Sequence, residues 1–201
     1  MTNVNNPDFW EQAYQEDRAR WDLGTPTPVF KRLLNSGAFP PGKMIVLGAG
    51  RGYDARMFAQ ANFAVTAVDF AEDAVQAMKA LDQPDKSVDI RQSDIFALPD
   101  ALLGTYDYLL EYTCFCAINP DRRADYADLV SRLLKPQATC LFLLFPIWDN
   151  EGGPPFAVTP EELLDLFLPR GFEVLQHEPN PTDSVSPRRA YEHLFVLRRT
   201  K

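Results

Sequence analysis

The chain has 201 residues, the length of one ordinary globular domain, and we expect a single domain over 1–201. Its composition, 46% hydrophobic and 24% charged, excludes a disordered, collagenous or coiled-coil chain. The formal net charge of −8 argues against nucleic acid and anionic membranes as partners, because binding to phosphate groups needs a basic surface. Three cysteines without disulfide or zinc-site spacing, and a start without a signal sequence, predict a soluble cytoplasmic protein.

Helix and strand patterns alternate through the first half of the chain. A helix is predicted over 7–20, where Pro7 and Asp8 follow Asn6. The apolar run 44–47 predicts a buried strand that enters a glycine-rich loop at 48–52. The patterns that follow predict helix 54–61, strand 64–69, helix 71–81, strand 87–94 and strand 106–115. We expect residues 1–35 to form a helical cover ahead of this alternation.

The second half completes an α/β fold. A helix is predicted after Asn119 and Pro120, and the segment 140–145 is apolar on both faces, as a central strand requires. A helix over 160–171 and two antiparallel closing strands, 172–178 and 190–199, follow. The sequence therefore predicts a Rossmann-like, mostly parallel seven-stranded sheet with an antiparallel last strand and helices on both faces, the layout of class I methyltransferases.

A glycine loop and an acidic residue form the first candidate site. Gly48, Gly50 and Gly52 carry no side chain, so a ligand can approach the backbone closely. Asp69 closes the second strand, where a carboxylate can accept hydrogen bonds from ribose hydroxyl groups. Because any Rossmann-type cofactor can use such a pair, a nucleotide-dependent oxidoreductase remains open.

Asp94 and Ile95 follow the third strand. The Asp94 carboxylate is placed to accept a hydrogen bond from an adenine amino group, while Ile95 contacts the ring. The alternative is a loop aspartate that caps a turn.

Three aromatic residues have helical spacing near the N-terminus. Trp10, Tyr14 and Trp21 fall within about 40° of one another on a continuous helix. Such a face is usually part of the core, but an aromatic wall also attracts a sulfonium cation.

Six segments, taken together, resemble the thiopurine, thiol and halide methyltransferase family. They are FWEQAYQEDRARWDLGTPTP at 9–28, VLGAGRGYD at 46–54, AVDF at 67–70, SDIF at 93–96, EYTCFCAINPDRR at 111–123 and GGPPF at 152–156. The resemblance implies that the cofactor is S-adenosylmethionine (SAM) and that it contacts Trp10, Tyr14, Trp21, Gly48, Gly50, Asp69, Asp94, Ile95 and Tyr112. It also implies that Arg123 lies near the methyl acceptor, whereas the residues alone leave a solvated helix start open.

Some residues depart from the family pattern or have another explanation. Tyr14 stands where many members have tryptophan. The pair Cys114 and Cys116 is interpreted as two small hydrophobic residues, because the chain has only two histidines and no second cysteine pair for a metal site. The segment at 152–156 is interpreted as a turn or a lid over the acceptor.

The residues and the resemblance together predict SAM-dependent methyl transfer to a small soft nucleophile, namely a thiol, thiocyanate, halide or thiopurine. Two alternatives are a Rossmann-type oxidoreductase, although no Tyr-x-x-x-Lys pair occurs, and a SAM-binding module without activity. We expect a cytoplasmic monomer that acts on a small molecule, without a metal, a nucleic-acid partner or a membrane.

Overall fold

The alternation of strands and helices in the sequence produces a seven-stranded mixed sheet with helices, which confirms the predicted fold class. The computed structural model describes residues 4–16, 18–149 and 151–201. The predicted cover over 1–35 thus includes positions 1–3 and 17, which lie outside the described residues. The chain divides into two compact units, which are Met1–Leu98 and Pro99–Lys201.

The first unit contains three parallel strands in the order β3-β2-β1. Its helices and strands are α1 (Pro7–Gln15), α2 (Pro28–Asn35), β1 (Lys43–Leu47), α3 (Tyr53–Gln60), β2 (Ala64–Asp69), α4 (Glu72–Leu81) and β3 (Asp89–Gln92). Four of the five residues of β1 are buried, as expected for a strand covered on both sides. The carboxyl ends of all three strands lie at one edge, where ligands bind in such sheets.

The second unit contains four strands in the order β4-β5-β7-β6. Its helices and strands are β4 (Tyr106–Tyr112), α5 (Arg123–Leu133), β5 (Leu134–Leu144), α6 (Pro160–Phe167), β6 (Phe172–Pro179) and β7 (His193–Arg199). Strands β4 and β5 pair in parallel, whereas β7 is antiparallel to both β5 and β6. The predicted antiparallel closing pair is therefore confirmed.

The N-terminal helix is shorter than predicted. Helix α1 ends at Gln15 and not at residue 20, and the N–H of Arg18 bonds to the carbonyl of Ala13 at 2.8 Å in the turn that follows. Trp21 consequently lies beyond the helix, so the prediction of one continuous helical face was wrong. Helix α2 was not predicted, because Pro28 was interpreted as a break; proline in fact occupies the first helical position there.

Strand boundaries in the second unit also differ from the prediction. Strand β4 ends at Tyr112 and not at residue 115, because Thr113 has a φ of 63° and the carboxylate of Glu111 accepts from the backbone N–H groups of residues 114 and 115. Strand β5 begins at Leu134, six residues earlier than predicted, through a polar stretch that has no strand-like pattern. Strand β7 begins at His193 and not at residue 190, because a short 3₁₀ helix, Arg188–Tyr191, includes the first two residues of the predicted strand.

Candidate active site

The glycine loop leaves β1 at the carboxyl edge of the first unit. Gly48 and Gly50 have φ angles of 61° and 55°, in the left-handed region that favours glycine. The N–H of Ala49 donates to the carbonyl of Val68 at 2.9 Å, which ties the loop to β2. A Cβ atom on Gly50 would lie 3.3 Å from the hydroxyl of Tyr14. A side chain at position 50 would therefore crowd Tyr14 and cover the loop backbone.

Asp69 at the end of β2 holds this loop in place. Its Oδ2 accepts a hydrogen bond from the N–H of Gly50 at 2.8 Å, and its Oδ1 accepts one from the N–H of Ala71 at 3.0 Å. The residue is 7% exposed, and burial raises its pKa to about 6 even though backbone N–H groups oppose that rise. Because a carboxylate offers about four lone-pair sites, these two bonds leave acceptor capacity for hydroxyl groups of a ligand.

Trp10, Tyr14 and Trp21 form one aromatic cluster. The ring centroids of Trp10 and Trp21 are 5.3 Å apart, and those of Tyr14 and Trp21 are 5.4 Å apart, both edge to face. The Nε1 of Trp21 donates to the Tyr14 hydroxyl at 3.1 Å. The cluster packs on Ala71 and Ala74 at the start of α4. The turn after α1, and not a continuous helix, brings Trp21 to the other two rings.

Burial and the nearby carboxylate of Asp69 raise the pKa of Tyr14, so its hydroxyl keeps its proton. The indole Nε1 of Trp10 donates to the carbonyl of Val4 at 2.9 Å. Both indole N–H groups of the cluster are thus hydrogen bonded within the first unit. What the cluster offers to a ligand is its aromatic surface.

Three carboxylates tie the N-terminal segment to the rest of the first unit. Glu11 on α1 accepts hydrogen bonds from the N–H groups of Glu72 and Asp73 and so caps the N-terminus of α4. Asp54 accepts bonds from the backbone and the hydroxyl group of Thr27, each at 2.7 Å. The third carboxylate, that of Asp22, forms an ion pair with Arg51 at 3.0 Å. Sequence analysis missed these contacts, because the partners are 27 to 62 residues apart.

Asp94 and Ile95 lie just after β3. The Oδ1 of Asp94 accepts a bond from the N–H of Phe96 at 2.9 Å and caps the short 3₁₀ helix Ile95–Ala97. Asp94 is exposed and Ile95 half-buried. The N–H of Ser93 donates to the carbonyl of Asp69 at 3.0 Å, which connects the ends of β2 and β3. Asp94 thus does cap a turn, at the edge where the loop and Asp69 lie.

Tyr112, at the carboxyl end of β4, stands between two charged residues of the second unit. Its hydroxyl donates to Glu192 Oε1 at 2.5 Å and accepts from Arg188 Nη1 at 2.7 Å. Glu192 is 1% exposed, whereas Arg188 is half-buried. Burial and the Glu192 carboxylate raise the pKa of Tyr112, which therefore stays protonated.

Two aromatic rings lie close to the guanidinium of Arg188. Its Cζ lies 5.6 Å from the ring centroid of Tyr112 and 5.3 Å from that of Phe145, within the range of cation–π interaction. Trp148 continues this aromatic group, 6.1 Å from Phe145 and 6.0 Å from Tyr191. The Nε1 of Trp148 is buried without a hydrogen-bond partner among the described residues. A cation and an unpartnered donor thus lie within one aromatic group.

Arg123 begins α5, and its guanidinium is bound by other protein groups. Nη1 lies 2.7 and 2.6 Å from the two carboxylate oxygens of Glu162, and Nη2 donates to the carbonyl of Ala157 at 3.0 Å. Its Cζ lies 4.9 Å from the ring centroid of Phe115, and the residue is 3% exposed. Arg123 therefore joins α5 to α6, and its contact with an acceptor stays a prediction.

The loop after β4 is organised by Glu111. One carboxylate oxygen accepts from the N–H groups of Cys114 and Phe115, and the other accepts from the hydroxyl of Tyr126 at 2.8 Å. Burial raises the pKa of Glu111 to about 7. Cys114 and Cys116 are free and buried, as the sequence predicted, and burial raises the pKa of the Cys116 thiol. These thiols act as small hydrophobic groups.

The structure brings most of the predicted cofactor residues together in the first unit. Trp10, Tyr14, Trp21, Gly48, Gly50 and Asp69 share one neighbourhood, with Asp94 and Ile95 at the adjoining strand end. Tyr112 and Arg123 lie in the second unit. Sequence analysis missed Arg188, Glu192 and Trp148. Nothing in the local pattern distinguishes them, because 76 to 80 positions separate Tyr112 from its two partners.

The residues of the first unit fit a nucleoside that carries a sulfonium cation. The glycine backbone has no side chain in the way, Asp69 has the chemistry for ribose hydroxyls, and the rings suit a cation with apolar surroundings. A solved structure of the 1,6-didemethyltoxoflavin-N1-methyltransferase of Burkholderia thailandensis, with S-adenosylhomocysteine bound, matches with a TM-score of 0.73 at 20% identity. The match covers 97% of this chain and 87% of that one. The fold is that of class I SAM-dependent methyltransferases.

Sequence comparison identifies the family. The family model of thiopurine S-methyltransferase matches residues 5–200, so the chain belongs to this family. A probable thiol methyltransferase 2 of Arabidopsis thaliana is 34% identical over 96% of this chain and 86% of its own length. A thiocyanate methyltransferase 1 of Brassica oleracea is 32% identical over 92% of this chain and 82% of its own.

The protein is therefore an S-adenosylmethionine-dependent S-methyltransferase, as the resemblance predicted. The oxidoreductase and the inactive binding module are not favoured. Among the described residues, no helix is long and apolar enough to cross a membrane.

Proposed function

We propose that this enzyme methylates a small soft nucleophile, with a thiol, thiocyanate, a halide or a thiopurine as the candidate acceptors. The observation that carries the proposal is the position of Arg188 against the rings of Tyr112 and Phe145. A cation within an aromatic group suits a polarisable anion better than a hard, strongly hydrated one. The relatives named for thiol and thiocyanate methylation support the same chemistry.

We propose that SAM is held mainly by the first unit. Gly48 and Gly50 approach it with their backbone, and Asp69 accepts from its ribose hydroxyl groups. The remaining contacts that we propose are Trp10, Tyr14 and Trp21 at the sulfonium, Asp94 and Ile95 at the adenine, and Tyr112. When bound, SAM supplies a methyl group that is activated by the adjacent positive sulfur. The N-terminal residues up to 35 act as the cover of this site.

Methyl transfer to a soft anion requires few catalytic groups from the protein. A thiolate or thiocyanate is already nucleophilic, so no strong base is required once the acceptor is ionised. Arg188 attracts the acceptor, and the surrounding rings exclude water from it. Arg123 is proposed to act on the acceptor side from the first turn of α5, with Glu162 fixing its guanidinium.

We further propose that the whole chain works as one domain and as a monomer in the cytoplasm. The three buried free cysteines suit a reducing compartment. The net charge of −8 supports a small-molecule acceptor over nucleic acid.

The proposal is tested by incubating the protein with methyl-labelled SAM and a panel of acceptors. The panel contains an alkyl thiol, an aromatic thiol, thiocyanate, iodide and a thiopurine, with catechol and an amine as hard nucleophiles. We expect label on at least one soft acceptor and on neither hard one. If SAM binds and no soft acceptor is methylated, the proposed function is wrong.

A further inference from the structure

A buried negative charge stands next to the cation of the acceptor region, and the methyl transfer itself does not require it. Glu192 is 1% exposed, and its Oε1 accepts the proton of Tyr112 at 2.5 Å. The same hydroxyl accepts from Arg188 Nη1 at 2.7 Å. One tyrosine oxygen thus connects a carboxylate and a guanidinium through two hydrogen bonds.

Because Glu192 is buried, its charge is screened less than a charge at the surface. Water screens a surface charge strongly, whereas a charge inside the protein acts at a lower effective dielectric constant. Glu192 therefore offsets much of the positive potential that Arg188 would otherwise produce over Phe145 and Tyr112. An acceptor in this region meets a nearly neutral pair of charges, so an anion is attracted less than the arginine alone would attract it.

The backbone keeps this arrangement in place. The 3₁₀ helix Arg188–Tyr191 is tied to the segment after β5 by a bond of 2.9 Å from the N–H of Ile147 to the carbonyl of Tyr191. The N–H of Asn180 donates to the backbone carbonyl of Glu192 at 2.8 Å. The charge of Glu192 is therefore presented at a fixed position relative to the aromatic group.

We propose that Glu192 is a specificity-determining residue, whose charge balances that of Arg188 and so disfavours permanently anionic acceptors relative to neutral thiols. The inference rests on the proposed function for the identity of the acceptors. Glu192 would affect which acceptor the enzyme prefers, whereas Arg188 would attract every anionic acceptor. Glutamine at position 192 keeps an oxygen for the Tyr112 hydroxyl and removes only the charge.

The test compares Glu192→Gln with wild type in the binding of two probes to protein saturated with S-adenosylhomocysteine, in a buffer without chloride. The probes are thiocyanate, an anion at every working pH, and 2-mercaptoethanol, which is mostly protonated at neutral pH. We expect Glu192→Gln to tighten thiocyanate binding by about three- to tenfold and to change the affinity for the thiol less than about twofold.

Glu173→Gln is the matched control. Glu173 is also paired with an arginine, Arg198, but both side chains are more than a third exposed on the strands β6 and β7. This variant removes the same charge from the same unit, and we expect wild-type affinities for both probes. If Glu192→Gln does not fold, Glu192→Met, also neutral and of similar length, must show the same split.

The outcomes separate this inference from the proposed function. Equal changes for both probes, or weaker thiocyanate binding, in the neutral variants would overturn the role of Glu192. If wild type methylates none of the soft acceptors of the panel, the proposed function fails, while the binding data still decide whether Glu192 disfavours anions.

Discussion

At the scale of single residues, three carboxylates fix the backbone of the segments that they contact. Asp69 binds the glycine loop, Asp54 binds the segment before α2, and Glu111 binds the loop after β4. Burial raises the pKa of each, to about 6 for the two aspartates and about 7 for Glu111. Each carboxylate bonds to backbone N–H groups, so each sets the path of a loop.

Glu111 makes stability depend on pH in a defined direction. Burial raises the pKa of Glu111 to about 7 in the folded protein, whereas an ordinary glutamate has a pKa of 4.5. The unfolded chain therefore releases this proton at a lower pH than the folded protein does. The contribution of Glu111 to the free energy of unfolding is full below pH 4.5 and is lost as the pH rises through about 7. Glu111→Gln cannot ionise. We expect the variant to gain up to about 3 kcal/mol in free energy of unfolding relative to wild type between pH 5 and pH 8. Urea unfolding of both proteins at the two pH values measures this difference. The same difference between variant and wild type at both pH values would refute the prediction.

Trp21 tests the aromatic cluster. If its ring faces the sulfonium, Trp21→Leu should weaken binding of SAM by about 2- to 30-fold more than binding of the neutral product S-adenosylhomocysteine. Trp21→Phe keeps an aromatic face without the N–H that bonds to Tyr14, so its loss of SAM affinity should lie between that of wild type and that of Trp21→Leu. Calorimetric titration of both ligands measures the difference. Equal losses for the two ligands would show that Trp21 serves only the packing.

Arg123 tests the acceptor side. Arg123→Ala should leave the affinity for SAM nearly unchanged and lower kcat/KM for the acceptor by about tenfold or more, which is about 1.4 kcal/mol. Because the arginine also pairs with Glu162, the melting temperature should fall as well. Glu162→Gln separates the two effects, since it weakens the pair and leaves the guanidinium. A main defect in SAM binding would exclude Arg123 from the acceptor side.

At the scale of elements, the Glu11 side chain and the aromatic cluster together hold α1 on α4. Glu11 reaches the first N–H groups of α4, and the aromatic cluster packs beside this contact. Helix N-terminal caps contribute about 0.5 to 2 kcal/mol, which is enough to keep a short helix in place. Glu11 therefore contributes to the position of α1.

We expect Glu11→Ala to raise the dissociation constant for SAM and to speed tryptic cleavage after Arg18 and Arg20 in the turn beyond α1. Asp8→Ala is the matched control, because Asp8 is an exposed acidic residue of the same helix and its side chain bonds to the neighbouring Asn6, away from both cleavage sites. Cleavage rates with and without S-adenosylhomocysteine measure the effect. Equal rates in the two variants would mean that Glu11 does not hold the cover.

The elements also show what a sequence can predict. Asp69 and the glycine loop were found because a strand, a loop and the next strand end are local signals. Trp21 was grouped with Trp10 and Tyr14 through a helix that stops at Gln15, and a turn brings it to the same place. Glu192 was missed, since its contact with Tyr112 spans 80 positions and lies in a segment predicted to be strand.

At the scale of the whole molecule, the family match over residues 5–200 and the fold agree on a methyltransferase. The two units carry different groups of candidate site residues. The first carries the glycine loop, Asp69 and the aromatic cluster, whereas the second carries Arg188 within its own aromatic group. The division predicts that variants in the first unit change cofactor affinity and that variants around Arg188 change acceptor kinetics.

The methyl donor is the point on which the whole account depends, and thermal unfolding with added ligands tests it most directly. Saturation with S-adenosylhomocysteine, at 100 times its dissociation constant, should stabilise the protein by about 2.7 kcal/mol, and NAD at the same concentration should not. Asp69→Ala, which removes the proposed ribose contact, should abolish the shift. Stabilisation by NAD alone, with no response to S-adenosylhomocysteine, would contradict the account.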